Sequence, residues 1–229
     1  RKFLTIEPTC VHLRLKENGR LNLKPNKTNN NFVYLISPNS IKNDNFYNEL
    51  DQVLSSKKVS FFQLRLKKET YKKKIIIGKK IKKICKKHKV KFIINDDPIL
   101  TKKLNADGCH LGQKDMSFLK ARKILKNKII GITCHNSIDL AKKAIQCGAN
   151  YLAFGAFYSS KTKKNKYKAN IKILNLAKKI TKIPIVAIGG IKLSNYKKLL
   201  LNKASFLAIS GYIWDNKKYK PLEAIKKLK

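Results

Sequence analysis

The sequence predicts an α/β protein built as a closed (β/α)₈ TIM barrel with an N-terminal β-hairpin extension, and three observations predict it. From Phe32 onward, eight short apolar runs alternate with longer amphipathic stretches. The runs are apolar throughout rather than at every second residue, as parallel strands covered on both faces require. The chain has 229 residues, close to the usual size of one such barrel, about 250 residues.

The strand candidates, in order, are Val33–Ile36, Ser60–Leu64, Lys91–Ile94, Gly108–His110, Ile129–Thr133, Tyr151–Phe154, Ile185–Ile188 and Ser205–Ile209. Helical periodicity falls between and after them, near residues 44–56, 70–88, 98–104, 117–126, 137–147, 170–180, 194–201 and 221–228. Strict alternation of this kind means parallel strands joined by crossover helices. Counting strands does not prove closure, so a doubly wound open sheet is the runner-up. No G-x-G-x-x-G follows the first strand and no G-x-x-x-x-G-K-[ST] loop occurs, which weighs against a dinucleotide or P-loop site.

Residues 1–31 read as a separate extension ahead of a catalytic barrel domain, residues 32–229. Val11, Leu13, Leu15, Leu21 and Leu23 alternate with polar residues around Glu17-Asn18-Gly19, which is strand periodicity broken by a turn. A three-residue loop with Gly19 in the left-handed position sets Leu15 against Leu21 and Leu13 against Leu23 on one face. A two-residue Asn-Gly loop would mix the faces. A lone hairpin is marginal in water, so this apolar face needs a cover, either the barrel or a partner subunit of a homo-oligomer. Lys24 to Asn31 reads as a polar linker.

With 53 basic and 13 acidic residues the formal charge is +40, which would suit a nucleic-acid binder. However, runs such as Lys72-Lys73-Lys74 and Lys79-Lys80 fall on the polar faces of helical stretches, and no basic segment is interleaved with stacking aromatics. The charge is therefore read as Lys-rich solvent faces with no specific nucleic-acid partner, in a field that still attracts anionic phosphates. No window offers about twenty uncharged apolar residues, so no membrane span is expected, and Arg1 to Cys10 lack a signal-peptide core. Five cysteines without a C-x-x-C pair suggest reduced thiols in a cytoplasm rather than a disulfide frame or zinc site.

In a barrel the chemistry sits at the C-terminal ends of the strands, and the polar residues there form a pattern. Gln63, Arg65 and Lys67 alternate after the second strand, so on an extended backbone all three point the same way, an arrangement suited to a polyphosphate. The competing reading is a solvated strand end. Asn95-Asp96-Asp97 follows the third strand and Gly112-Gln113-Lys114-Asp115 the fourth. Asp96 and Asp115, on neighbouring loops, suit Mg²⁺, which takes one or two carboxylates plus substrate phosphate and water. Helix capping competes: Asp97 precedes Pro98 and reads as a cap, while either Asp115 or Ser117 could cap the next helix.

Thr133 lies at the end of the fifth strand, before Cys134 and His135. Adjacent side chains diverge on an extended backbone, so Cys134 and His135 are not read as a catalytic pair. Asn136 or Ser137 is expected to cap the following helix. The long segment Gly155 to Ala169, with Ser160, Thr162 and Lys163, has the length and content of a lid over anions, against a plain surface loop. Gly189-Gly190 after the seventh strand and Ser210-Gly211 after the eighth stand where barrels commonly hold phosphate.

Taken together these residues resemble the thiamine-phosphate synthase family. The likeness runs from about Tyr34 to the C-terminus and rests on Q-x-R-x-K at Gln63–Lys67, I-N-D-D at Ile94–Asp97 and A-D-G-x-H-L-G-Q-x-D at Ala106–Asp115. It continues with G-x-[ST]-x-H at Gly131–His135, F-G-x-x-[FY] at Phe154–Tyr158, T-K at Thr162-Lys163 and A-I-G-G-I at Ala187–Ile191. The resemblance implies coupling of hydroxymethylpyrimidine diphosphate to hydroxyethylthiazole phosphate, giving thiamine phosphate and pyrophosphate. It implies Asp96 and Asp115 as Mg²⁺ ligands, and Arg65, Lys67, Asn95 and Lys163 as holders of the diphosphate. Gln63 would lie beside the pyrimidine, Thr133 and Thr162 would complete the mouth, and Ser160 would sit beside the thiazole phosphate. Gly189, Gly190 and Ser210 would cradle phosphate.

The chain departs from the family pattern at Thr133, where Ser is usual, and in the lid, usually T-x-T-K after a proline: Ser159 to Lys163 lack the proline, and Ser160 stands for the first Thr, keeping its hydroxyl. The related thiazole tautomerase, which shares the barrel, and a nucleic-acid binder on a retired barrel are the alternatives.

Overall fold

The structure, a computed structural model, describes Leu23, residues 31–159 and residues 167–229. The expected hairpin, apart from Leu23, therefore lies outside the described residues. Leu23 itself is buried, 8% exposed, and belongs to the cluster that fills the barrel interior.

The described residues form eight parallel strands closed into a barrel in sequence order. They are β1 (Val33–Ile36), β2 (Val59–Leu64), β3 (Lys91–Asn95), β4 (Gly108–Leu111), β5 (Ile129–His135), β6 (Tyr151–Gly155), β7 (Ile185–Ile188) and β8 (Phe206–Ile209). The helices are α1 (Asn45–Ser55), α2 (Tyr71–Lys87), α3 (Pro98–Lys103), α4 (Phe118–Leu125), α5 (Ile138–Gln146), α6 (Lys172–Ile180), α7 (Tyr196–Leu201), α8 (Gly211–Trp214) and α9 (Pro221–Lys227). Pairing of Val33 with Leu207 and of Leu35 with Ile209 closes β8 onto β1, which excludes the open sheet.

The apolar runs serve two cores because alternate strand residues face opposite ways. Leu35, Phe62, Ile94, Cys109, Ile130 and Leu207 face outward under the helices. Tyr34, Phe61, Ile93, Ile129, Tyr151 and Phe206 face inward. Inside, Phe61 meets the ring of Phe206 edge-on at 5.0 Å and that of Tyr34 at 5.2 Å, so the interior is filled rather than a pore. Burying each such ring contributes about 1.5–3 kcal/mol.

Side-chain caps start four helices: Thr70 accepts from the Lys73 N–H, Asp97 from Leu100, Ser117 from Lys120 and Ser137 from Leu140. Ser117 rather than Asp115, and Ser137 rather than Asn136, takes the cap. The strands reach further toward the rim than the sequence indicated, to Asn95, Leu111, His135 and Gly155, because ladder pairing continues past the apolar run. β5 shifts register between Thr133 and His135. The four-residue α8, which is too short to show periodicity, was not expected; the Trp214 indole N–H fastens it to the Ile36 carbonyl at 2.7 Å.

Space inside the barrel is fixed by missing side chains. A Cβ on Gly131 would lie 1.9 Å from Cζ of Tyr151, a clash against a wholly buried ring. Gly131→Ala is expected to destabilise the protein by about 1–3 kcal/mol, the usual range for overpacking a core. That lowers Tm by about 3–10 °C for a chain of this size; thermal unfolding that matches the wild type would show the interior to be looser than described.

Candidate active site

The polar residues singled out in the sequence, where they are described, stand at the C-terminal ends of strands, on one rim of the closed barrel. On the β2–β4 side they converge. Lys67 reaches from the loop after β2 to Asp96 after β3, Nζ to Oδ2 at 3.2 Å. Asp96 holds a left-handed backbone, φ 65°, which Asp tolerates better than most residues. Its N–H donates to the His110 carbonyl at 2.8 Å. That bond ties the end of β3 to β4 and sets the Asp96 carboxylate beside Asp115.

Asp115 accepts the Gly112 N–H at 2.7 Å, within its own loop. Burial pushes its carboxyl above the usual range, and hydrogen bonding and charge from Asp96 push it the same way; the Gly112 N–H and Lys67 pull against them. Asp97 is turned away onto the start of α3 as a cap. A cleft of about 540 Å³ opens here, lined by Lys67, Asn95, Asp96, Lys114 and Asp115 among others. Arg65, one strand turn back, bonds Asn39 Oδ1 at 2.7 Å and lies toward the β1 side of the rim.

The centre of the mouth has a polar floor. Gln63, only 3% exposed, donates from Nε2 to the Tyr34 hydroxyl at 3.2 Å. The Tyr34 and Tyr151 hydroxyls are 2.8 Å apart. Tyr151 meets His110 Nδ1 at 3.0 Å, and His110 Nε2 meets Thr133 Oγ1 at 2.8 Å. The Gln113 side-chain amide also donates to the Thr133 carbonyl. Burial raises both phenols above their ordinary range, so they stay neutral. Tyr34, Tyr151 and His110 were not among the expected site residues. The signal was available: each occupies an inward-facing position of a strand, and His110 lies inside the Ala106–Asp115 motif.

On the far side, Gly189 and Gly190 have φ of 106° and 59°. A Cβ on Gly189 would meet Ala156, and one on Gly190 would come 2.2 Å from the Ser159 carbonyl. These glycines are thus required by the close approach of the β6–α6 segment, whatever they bind. Ser210 donates to the Ser37 carbonyl at 3.2 Å. Ser160, Thr162 and Lys163 lie outside the described residues. The flanks of that segment are anchored: the Ala156 N–H donates to the Tyr167 carbonyl at 3.1 Å, and the Tyr167 ring stacks on His135 at 4.1 Å. Cys134 is buried, its thiol pushed up to about 12 by desolvation; with His135 turned to Tyr167, the two form no catalytic pair.

The model of the family described as thiamine monophosphate synthase matches residues 33–213. The chain belongs to this family. A thiamine-phosphate synthase of Pelagibacter ubique is 77% identical over 207 residues, 90% of this chain and 100% of that protein. One from Nitrosomonas eutropha is 40% identical over 80% of this chain and 86% of its own. Among solved structures, a thiamine phosphate pyrophosphorylase from Pyrococcus furiosus superposes with TM-score 0.77 at 25% identity, covering 89% of this chain and 96% of that one. The family match begins at β1, and so takes in every described residue singled out at the rim.

The raised Asp115 carboxyl has a consequence for stability. A carboxyl whose folded value lies above its unfolded value contributes stability below the unfolded value and loses it as pH rises through the folded one. At neutral pH and without divalent cations, Asp115 therefore opposes folding. Asp115→Asn is expected to raise Tm at pH 7 in EDTA, with the gain fading below about pH 4, where the carboxyl is protonated in both states. An unchanged or lowered Tm at pH 7 would count against the crowding of the two carboxylates.

Proposed function

We propose that this protein joins hydroxymethylpyrimidine diphosphate to hydroxyethylthiazole phosphate, releasing pyrophosphate and forming thiamine phosphate. The observation that carries the reading is the meeting of Lys67, Asp96 and Asp115 in one cleft, at the same end of the barrel as the hydrogen-bonded series from Gln63 to Thr133. The family membership and the name carried by both relatives favour the synthase over the thiazole tautomerase.

The chemistry fits these residue types. The bond between the pyrimidine methylene carbon and the diphosphate oxygen breaks, and its electron pair leaves with pyrophosphate. The thiazole nitrogen lone pair then forms the new C–N bond. The substrate brings its own nucleophile, so the protein needs to stabilise the leaving group and to position the partners. Lys67, Arg65 and Asn95 bind the diphosphate, joined by Lys163. Gln63 and Thr133 orient the pyrimidine over the floor. The packed interior beneath them, Tyr34, Phe61 and Tyr151, keeps water from reaching the methylene carbon from below. Gly189, Gly190 and Ser210, with Ser160 and Thr162, take the thiazole phosphate end.

Asp96 and Asp115 fit a Mg²⁺ ion. Two carboxylates from adjacent loops, close enough to raise one of them, offer hard oxygens whose mutual repulsion a divalent cation relieves. Two carboxylates fill only part of an octahedral shell, which leaves positions for substrate oxygens and water. When bound, Mg²⁺ supplies positive charge to the leaving pyrophosphate.

Among the described residues no helix is long and apolar enough to cross a membrane. Cys85, Cys109 and Cys134 are buried free thiols, which favours a reducing, cytoplasmic location. The lysines of α2, among them Lys72, Lys79, Lys83 and Lys87, face solvent; the family membership supports phosphorylated small molecules as partners.

Purified protein given both substrates and Mg²⁺ is expected to form thiamine phosphate and pyrophosphate in equal amounts; no product from folded protein would reject the reading. Asp96→Ala and Asp115→Ala are each expected to lower kcat about a hundredfold or more with the fold intact by circular dichroism. Wild-type rate and Mg²⁺ dependence in either variant would remove the metal assignment.

A further inference from the structure

The five side chains on the barrel floor form an unbroken series of hydrogen bonds: Gln63 to Tyr34 at 3.2 Å, Tyr34 to Tyr151 at 2.8 Å, Tyr151 to His110 at 3.0 Å and His110 to Thr133 at 2.8 Å. Its two ends, Gln63 and Thr133, are the groups placed against the pyrimidine above. Of its three middle members, Tyr34 and Tyr151 have so far served only through their packed rings, and neither their hydroxyls nor His110 has a role in the reaction. We propose that this series is a positioning relay that holds His110 in its Nε2-protonated tautomer and thereby fixes what Gln63 and Thr133 present to the pyrimidine-bearing substrate. The substrate part of this inference rests on the synthase reading.

Counting donors and acceptors gives the polarity. The amide nitrogen of Gln63 can only donate, and each hydroxyl has one hydrogen to give. Tyr34 accepts from Gln63, so its own hydrogen goes to Tyr151. Tyr151 then gives its hydrogen to His110 Nδ1, which must be the bare nitrogen. The remaining imidazole hydrogen is on Nε2 and goes to Thr133 Oγ1. Thr133 is left with its hydroxyl hydrogen to donate, and Gln63 with its carbonyl oxygen and second N–H.

The opposite polarity requires Gln63 to turn its carbonyl oxygen onto Tyr34. Every hydrogen then reverses, His110 carries its proton on Nδ1, and Thr133 spends its hydrogen on Nε2. The two ends therefore switch together. With Gln63 donating to Tyr34, a second proton on His110 would leave the Tyr34 hydroxyl hydrogen without an acceptor in the series, among buried groups where an unmade bond is expensive.

The surroundings hold the relay still. Tyr34 and Tyr151 are wholly buried, and the His110 ring stacks on Tyr151 at 5.6 Å with the planes 12° apart. Gly131 leaves the space that the Tyr151 ring fills. A pyrimidine ring presents acceptor nitrogens at fixed places, so an array of fixed polarity discriminates it from a ring of the same shape that presents donors there.

The test joins nuclear magnetic resonance to kinetics. Long-range ¹H–¹⁵N correlation on protein labelled at its four histidines should show His110 of the wild type as a single Nε2–H tautomer. Tyr151→Phe keeps the ring and removes the hydroxyl. It is expected to give a mixture of His110 tautomers and to lower kcat/KM for the pyrimidine diphosphate about tenfold, with KM for the thiazole phosphate unchanged. Tyr34→Phe leaves the Tyr151 donor in place and should retain the tautomer. A wild-type His110 that is Nδ1-protonated or doubly protonated overturns the relay. So does a Tyr151→Phe variant that loses activity while keeping the single tautomer, or changes tautomer while keeping activity. If Tyr151→Phe fails to fold, the wild-type and Tyr34→Phe spectra still decide. A wild type that makes no thiamine phosphate would sink the synthase reading alone, because the spectrum is read without turnover.

Discussion

The pairing of β1 with β8, Val33 against Leu207 and Leu35 against Ile209, closes the sheet. Closure puts the ends of eight strands on one rim, so residues as far apart in sequence as Gln63 and Ser210 surround one mouth. It also forces alternate strand residues into a single enclosed interior, where packing must be filled and polar groups must be paired. The aromatic filling of that interior and the hydrogen-bonded floor above it both follow from this constraint. Tyr34 and Tyr151 serve both: their rings pack on Phe61 while their hydroxyls face each other.

Above the floor, the rim is electrostatically uneven in a way that suits its ligands. The chain as a whole carries +40, yet two of its thirteen acidic residues are set side by side on the β3 and β4 loops. Each is held by backbone, Asp96 through its own N–H on the His110 carbonyl and Asp115 through the Gly112 N–H. Lys67 compensates Asp96 in part, but the pair is exposed enough for solvent to weaken it. A cationic field of this kind attracts anionic phosphates, and on the proposed reading the two carboxylates are where a cation joins them.

Much of the fold was legible because the eight apolar runs were pure and the caps carried their usual residues. Thr70, Ser117 and Ser137 each stand one residue before a helix, and Asp97-Pro98 announces α3. The strand ends were less legible. Asn95, His135 and Gly155 are paired in the ladder by their backbones, which hydrophobicity does not record, and α8 is shorter than any helical period. Within the site, charged and amide groups at strand ends could be found by position, as Lys67, Asp96 and Asp115 were. Tyr34, Tyr151 and His110 were passed over because a tyrosine or histidine within an apolar run reads as core. Only the closed barrel brings their polar tips together. Gly189 and Gly190 read only as a phosphate cradle in the sequence; the crowding by Ala156 and Ser159 that requires them depends on how the β6–α6 segment returns, which the sequence does not record. The roles expected of Ser160, Thr162 and Lys163 rest on the family pattern, as those residues lie outside the described ones.

The convergence of acidic and cationic groups on one diphosphate is the claim on which the functional account stands, and a crystal structure with Mg²⁺ and pyrophosphate tests it most directly. The account predicts the metal at the carboxylates of Asp96 and Asp115, pyrophosphate oxygens completing its shell, and the Lys67 ammonium moved from Asp96 onto the phosphates. Metal and pyrophosphate bound away from both aspartates, with the Lys67–Asp96 pair intact, would contradict it.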